Sequence, residues 1–192
     1  MGEYSIEKGN LFWYEAHNDG SLYVVGTVNG FNGDPNNKTD CRTFNGKIVK
    51  GIGGKFLPQG LAKFDGYGLI LKNGLAIANG GLYNCPNLGV LEFEAGSTGE
   101  NSVGAFGLAK CAKLVSITNA DGFNNIGEAA FAETTALKSF DLKDIIGIGK
   151  FAFYGSGITS ITANAIQAIP EYALKRSSLV KLNIPTVTSI GE

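Results

Sequence analysis

Few residues in this chain have types and spacing suited to chemistry. His17 is the one histidine, and it stands beside Asn18-Asp19-Gly20. A histidine base needs a Ser or Cys nucleophile motif to act on. None accompanies it, so His17 reads as a solvated hairpin residue. Cys41, Cys85 and Cys111 are odd in number and too few for a disulfide scaffold. They lack the C-x-x-C spacing of a zinc site. Gly51-Ile52-Gly53-Gly54-Lys55 looks like a phosphate loop, but Val49 and Phe56 occupy the positions that require Gly and Ser/Thr. It reads as a glycine-bent stretch of backbone. Asp34-Pro35-Asn36-Asn37-Lys38-Thr39-Asp40 alternates oxygen side chains as a calcium loop does. However, Lys38 fills a ligand position and the central Gly is missing, so this is an ordinary polar loop. Asn37-Lys38-Thr39 is a formal glycosylation sequon, meaningful only in a eukaryotic secretory route. Glu92 and Glu94 are a carboxylate pair of the kind found on solvated strands. The sequence therefore predicts no catalytic residue, no metal and no cofactor.

Composition narrows the remaining classes. The 192 residues carry a formal charge of −1, without the basic footprint of a nucleic-acid binder. The hydrophobic fraction of 44% supplies a substantial core. Glycine is abundant, at 28 residues, which favours many turns and short elements. The longest apolar stretches, such as Ile145-Ile146-Gly147-Ile148, are too short to cross a bilayer. Met1-Gly2-Glu3-Tyr4-Ser5 has neither the basic nor the apolar region of a secretory signal. Either the protein is made without one, or the sequence begins after one.

Internal repetition decides the fold. Ile126-Gly127-Glu128-Ala129-Ala130-Phe131 is echoed by Ile148-Gly149-Lys150-Phe151-Ala152-Phe153, by Ile169-Pro170-Glu171-Tyr172-Ala173-Leu174 and by Ile190-Gly191-Glu192. The leading Ile recurs in steps of 22, 21 and 21. Looser copies begin at Val103, Ile77 and Ile52. After each hexad comes an apolar-x-x-apolar-x-apolar phrase, for example Leu137, Phe140, Leu142 or Ile158, Ile161, Ala163. Its last two apolar positions alternate, as a strand with one buried face requires. Another apolar residue sits three before the lead: Val49, Phe123, Ile145, Ile166, Val187. A unit this short cannot bury its apolar set alone, and stacking neighbours turns each position into a continuous column. The expectation is a β-rich solenoid with little helix. The Gly after the lead marks a tight bend or a close backbone approach.

The phrase Ile-Gly-Glu-x-Ala-Phe, its Leu-x-x-Phe/Leu-x-Leu/Ile sequel and the closing Val187-Thr188-Ser189-Ile190-Gly191-Glu192 resemble the BspA-like leucine-rich repeat family. The resemblance covers residues 103–192 well, 49–102 loosely and 1–48 not at all. It implies a curved leucine-rich-repeat solenoid with a parallel sheet on the concave side. It also implies a non-catalytic role in binding or adhesion, commonly at a cell surface, with a protein or glycan partner. Cys85 and Cys111 each follow a repeat leucine by three residues and should stack on adjacent coils. The family often has Cys there as a small buried hydrophobe, which implies two reduced thiols. A disulfide is the alternative, since a rung spacing of about 5 Å fits an S–S bridge.

Residues 1–48 read differently and form a candidate β cap or attachment segment ahead of a solenoid of about six units at 49–192, the last incomplete. They hold seven of the 20 aromatics. Leu11–Tyr14 and Leu22–Val25 flank Asn18-Asp19-Gly20, a hairpin signature. Asn29-Gly30, Asn32-Gly33 and Asn45-Gly46 add turns. Phe12, Trp13, Tyr14 and Tyr23 are the candidate anchors to a partner. The chain stops mid-repeat without a polar cap, so assembly through that end is a further expectation. A second reading is a structural subunit of a larger assembly such as a bacteriophage virion, which places the chain in a virion or the cytoplasm.

The repeat register also nominates a binding face. Leu91, Ile117, Phe140, Ile161 and Leu182 are predicted to form one buried column. The residues between buried positions point outward. Val90, Ser116, Ser139, Ser160 and Lys181 form one exposed column, and Glu92, Thr118, Asp141, Thr162 and Asn183 the next. Glu94, Ala120, Lys143, Asn164 and Pro185 form a third. This surface is polar and nearly free of aromatics, whereas protein hot spots favour Trp, Tyr and Arg. The aromatic N-terminal segment is the stronger candidate for a tight contact.

Overall fold

The computed structural model describes residues 4–28, 31, 33–34, 36–54, 60–96, 99 and 101–191. Lys55 and Phe56 of the phosphate-loop-like stretch, Pro35 of the calcium-like loop, and the Asn29-Gly30 turn fall outside the described residues, as does Asn32. Among the described residues there are short strands and turns and no helix. The chain winds as a β-solenoid of about six coils, whose leads are Ile52, Ile77, Val103, Ile126, Ile148 and Ile169.

Three hydrogen-bonded ladders run along the stack. The first joins the leads. Ile52, Ile77, Val103, Ile126 and Ile148 lie in parallel strands of one sheet. The N–H after each lead donates to the carbonyl of the lead before it: Gly104 to Ile77 at 2.7 Å, Gly127 to Val103 at 2.7 Å, Gly149 to Ile126 at 2.8 Å. Pro170 has no N–H to offer. There the ladder breaks, and Ala168–Ile169 pairs onward only with Ser189–Ile190. The repeated glycine marks a close approach. A Cβ on Gly127 would stand 2.6 Å from the Ala105 nitrogen, and one on Gly149 would stand 2.4 Å from the Glu128 nitrogen.

The second ladder lies on the turns after the leads. Every second N–H points at the next coil: Phe106 to Glu128, Leu108 to Ala130 and Lys110 to Ala132, then Ala129 to Lys150, Phe131 to Ala152 and Glu133 to Tyr154. Each turn holds two left-handed residues, for example Phe106 and Lys110, or Tyr172 and Arg176. These conformations are uncommon for bulky side chains, and the inter-coil bonds hold them in place.

The third ladder is the strand face, the family's concave side. Lys38–Asp40, Gly68–Leu71, Val90–Phe93 and Ser116–Thr118 form one parallel sheet, and Ser160–Thr162 pairs with Lys181–Asn183. No strand forms at 139–141. The gap coincides with a crowd of benzyl rings. Phe140 lies 4.9 Å from Phe131, 5.5 Å from Phe123 and 6.5 Å from Phe153.

The core runs the length of the stack. The lead column is buried from Ile52 through Ile126, and so is the column of Leu82, Leu108, Phe131 and Phe153. Val49, Phe123, Ile145 and Ile166 are buried as their register predicts. The column Leu91, Ile117, Phe140, Ile161, Leu182 is corrected. Leu91 and Ile161 are buried, Ile117 and Phe140 are half-buried, and Leu182 is 40% exposed. Leu182 lies on the last strand, where no neighbour covers it. Ile190 shares that end and is exposed for the same reason, whereas Val180, like its equivalent Val115 in mid-stack, points outward.

The first 48 residues continue this architecture. Phe12–His17 and Leu22–Thr27 form the expected antiparallel hairpin, with Gly20 at positive φ in its turn. An outer strand, Tyr4–Lys8, adds to it. Tyr23–Val24 then pairs in parallel with Gly51–Ile52. Gly53 donates to the Val24 carbonyl at 2.7 Å, the same bond that each later lead receives. Lys38–Asp40 is the first strand of the strand face. The hairpin and the coils thus share a sheet and one hydrophobic core.

Candidate functional site

Two long surfaces flank the core, and the sequence register fills them with different chemistry. On the strand face, Val90 pairs with Ser116, Glu92 with Thr118, Ser160 with Lys181 and Thr162 with Asn183. All nine proposed contact residues fall into these rows or into the interrupted coil between them. Glu92, Thr118, Asp141, Thr162, Asn183, Ser139 and Lys181, with half-buried Ser116 and Ser160, all keep solvent access. Ser139 and Asp141 belong to no ladder, because their coil has no strand. Lys143 N–H instead donates to Asp141 Oδ1 at 3.0 Å, a local turn within the gap.

The N-terminal half of this face is cross-linked by charge. Lys38 pairs with Glu92 and Lys72 with Glu94, while Arg42 bridges Asp40 and Glu94. The Arg42 guanidinium holds the Asp40 carboxyl below the usual carboxylate range. The Lys72 ammonium, with Arg42, does the same to Glu94. Lys38 thus belongs to an inter-coil ion pair, and its loop is an Asp34-capped turn. Asp34 Oδ1 accepts from the Asn36 and Asn37 N–H groups at 2.8 and 3.1 Å. Thr39 of the sequon is buried in a strand.

The turn face is aromatic. Tyr83 and Phe106 wall a concavity of about 580 Å³ over Gly80, Ala62 and Ala105, with Lys63 at its rim. Lys110 Nζ stands 5.8 Å from the Tyr83 ring centre. Three coils along, Phe151 and Tyr172 lie 5.2 Å apart. Lys175 sits 4.4 Å over Tyr172, and Arg176 donates to the Tyr154 hydroxyl at 2.9 Å. Sequence reading missed this surface. The available signal was the fourth hexad position, which alternates between small (Gly80, Ala129) and large aromatic (Phe106, Phe151, Tyr172) residues.

The proposed anchors divide. Phe12 and Tyr14 are buried core residues and present no surface. Tyr14 stacks on Phe44 at 4.1 Å, and burial, with Cys41 and Asp40 nearby, pushes its hydroxyl up to about 12. Trp13 and Tyr23 remain half-buried on the other side of the hairpin. Lys8 lies over Trp13 at 5.8 Å, and the Tyr23 ring lies against Gly51.

His17 is not the solvated residue its turn position suggests. Its side chain is 13% exposed, and Nε2 lies 2.6 Å from Oε1 of Glu15, which is fully buried. The rings of Tyr4 and Tyr23 flank it. Alternation on Phe12–His17 puts Glu15 on the face of Trp13 and His17, opposite the core residues Phe12, Tyr14 and Ala16. Glu15 is covered there against Gly54, and the histidine two residues on reaches it along that face.

The three cysteines are free and buried. Cys111 Sγ donates to the Leu82 carbonyl at 3.1 Å and Cys85 Sγ to Leu61 at 3.4 Å. Cys111 and burial push the Cys85 thiol far above its ordinary range. Burial does the same to Cys41. These thiols are inert packing groups. No cluster of three metal-ligating side chains exists among the described residues, and no helix there is long and apolar enough to cross a membrane.

Comparison with known proteins agrees with this geometry. No curated protein matches the chain. Among solved structures, a leucine-rich repeat protein of T. pallidum superposes with a TM-score of 0.72 at 16% identity, covering 97% of this chain and 86% of that one. A leucine-rich cell surface protein of Faecalibacterium prausnitzii superposes with a TM-score of 0.54 at 16% identity, covering 97% of this chain and 50% of that one. At such identities the likeness is one of fold. The profile of the BspA-type leucine-rich repeat region matches six copies over residues 75–192, and the chain belongs to that family.

Proposed function

We propose that this chain is a non-catalytic recognition module of a cell-surface protein, and that it binds a protein partner through its strand face. The observation that carries this is the registered rows across coils, in which Ser116, Thr118, Ser160, Thr162 and Asn183 are short and polar and stand beside Val90, Glu92 and Lys181. A partner laid along the coils meets the same spacing at the rungs on either side of the gap at 139–141. Small hydroxyls contribute hydrogen bonds with little side-chain ordering cost. The family supports a repeat-based binding role, and the surface setting follows the F. prausnitzii neighbour. Trp13 and Tyr23 are the residues of the N-terminal segment that retain access for a second contact.

Site-specific photo-crosslinking in the producing cells tests this. A photoreactive residue at position 118 or 162 should trap one discrete protein, and one at Glu7 on the outer strand should not. Substituting Thr118, Asp141 and Thr162 together by Ala should abolish the adduct formed from position 116. An adduct pattern indifferent to probe position would reject the strand face as the contact.

A further inference from the structure

The turn face carries a second site, independent of which partner the strand face holds. In coil two the fourth hexad position is Gly80, and a Cβ there would meet nothing nearer than Tyr83 Cβ at 4.0 Å. The next coil places Phe106 at the same position, left-handed at φ 55° and 46% exposed. A bulky residue in that region is a rare and costly choice. Gly80 opens the gap, and Phe106 and Tyr83 wall it. The resulting concavity of about 580 Å³ lies within the usual size of a ligand pocket.

Charge identifies the occupant. Lys63 stands at the rim and Lys110 beside it next to Tyr83, both exposed and both left-handed. Neither forms an ion pair among the described residues. Lys110 has the Tyr83 ring as its neighbour. On the N-terminal half of the strand face, by contrast, Lys38, Arg42 and Lys72 are each matched by carboxylates. The groove thus offers an apolar floor, two aromatic walls and two lysines outside any salt bridge among the described residues, Lys63 and, partly offset by the Glu133 carboxylate, Lys110. A sugar would need neutral hydrogen-bonding groups aimed into the site. Asn79 is the one carboxamide among the lining residues, and its Oδ1 already accepts the Ala105 N–H at 2.8 Å, which leaves a single Nδ2 group for a sugar.

We propose that the groove between coils one and three docks an acidic peptide segment of a partner protein, with one apolar side chain over Gly80 and carboxylates on Lys63 and Lys110. The apolar residue is the anchor of such a contact, and the carboxylates set register and on-rate.

The test uses the full ¹⁵N-labelled chain titrated with the peptide acetyl-Glu-Asp-Phe-Asp-Glu-amide. Saturable shift changes should map to residues 62–63, 79–84 and 105–110. Binding should weaken at least about tenfold in Lys63→Glu/Lys110→Glu and in Phe106→Ser, with the remaining spectrum unchanged. The lysine-for-acid version of the peptide should not bind. The proposal is overturned by no saturable change up to about 1 mM peptide, by binding that survives both variants, or by preference for trigalacturonate at the same residues. If the peptide instead shifts Ser116, Thr118 and Thr162, the groove is rejected while recognition by the strand face stands.

Discussion

The turn face and the strand face are built from the same repeat, yet only one is continuous. On the turns, alternate N–H groups reach the next coil from Leu61 through Gly155. On the strands, the sheet stops after Ser116–Thr118 and restarts at Ser160–Thr162. The side chains follow the same division. Phe131 and Phe153, under the turns, are sealed in the core, while Phe140, under the strand face, is half-buried. The cohesion of the stack therefore resides in the turn and lead ladders. The strand face tolerates a missing rung, which leaves its residues freer to vary.

Truncation should sharpen that contrast. Phe131→Ala removes a fully buried ring stacked on Phe153 at 5.6 Å and should cost about 3–5 kcal/mol in a chemical denaturation series. Phe140→Ala should cost less, about 1–3 kcal/mol, because part of that ring is already in water. Equal losses would mean that the strand gap is sealed by the same packing as the turns, and the contrast would fail.

A smaller effect of opposite sign should come from the column under the turns. Cys85, Cys111, Thr134 and Ser156 occupy equivalent places. Thr134 Oγ1 donates to the Phe131 carbonyl at 2.7 Å. The buried Ser156 hydroxyl has no hydrogen-bond partner among the described residues. Ser156→Ala removes an unsatisfied polar group and should stabilise by about 1 kcal/mol, read as a raised melting temperature. Thr134→Ala, which removes a satisfied bond, should destabilise. If both variants moved the same way, the column would not be governed by hydrogen-bond satisfaction.

Much of this was legible from residues alone, for a physical reason. A solenoid stacks identical positions, so the 21–23-residue recurrence of Ile-Gly and its apolar phrases dictated the lead ladder, the core columns and the outward rows. Three things escaped it. Val24 serves as a lead, but it precedes Ile52 by 28 residues and lacks the Ile-Gly phrase. The missing strand at 139–141 depends on how four phenylalanines share space, which no single repeat encodes. Burial of Glu15 and His17 depends on the hairpin joining the solenoid sheet, a long-range pairing. The turn groove was overlooked because a repeat consensus directs attention to what recurs, and the groove arises at the variable fourth hexad position, where Gly80 is followed by Phe106.

The weakest expected effect concerns the charges that distinguish the two faces. Asp40 has its folded-state carboxyl held low, chiefly by the Arg42 side chain. Its stabilising contribution is therefore complete above the unfolded carboxylate value and is lost as pH falls through the lower folded value. These groups lie at the surface, so solvent and salt weaken each pair. Stability should be level from neutral pH down to about pH 4, the ordinary Asp range, and decline below it. Asp40→Asn should flatten that acid decline slightly and leave neutral stability almost unchanged. Lys110→Gln on the turn face, where Glu133 acts on the lysine without a salt bridge among the described residues, should change the acid decline less than Asp40→Asn does. An Asp40→Asn profile superimposable on the parent would show that strand-face pairing contributes nothing to the fold. Matched charge there would then serve only to keep that surface neutral toward acidic partners, which the turn face alone would attract.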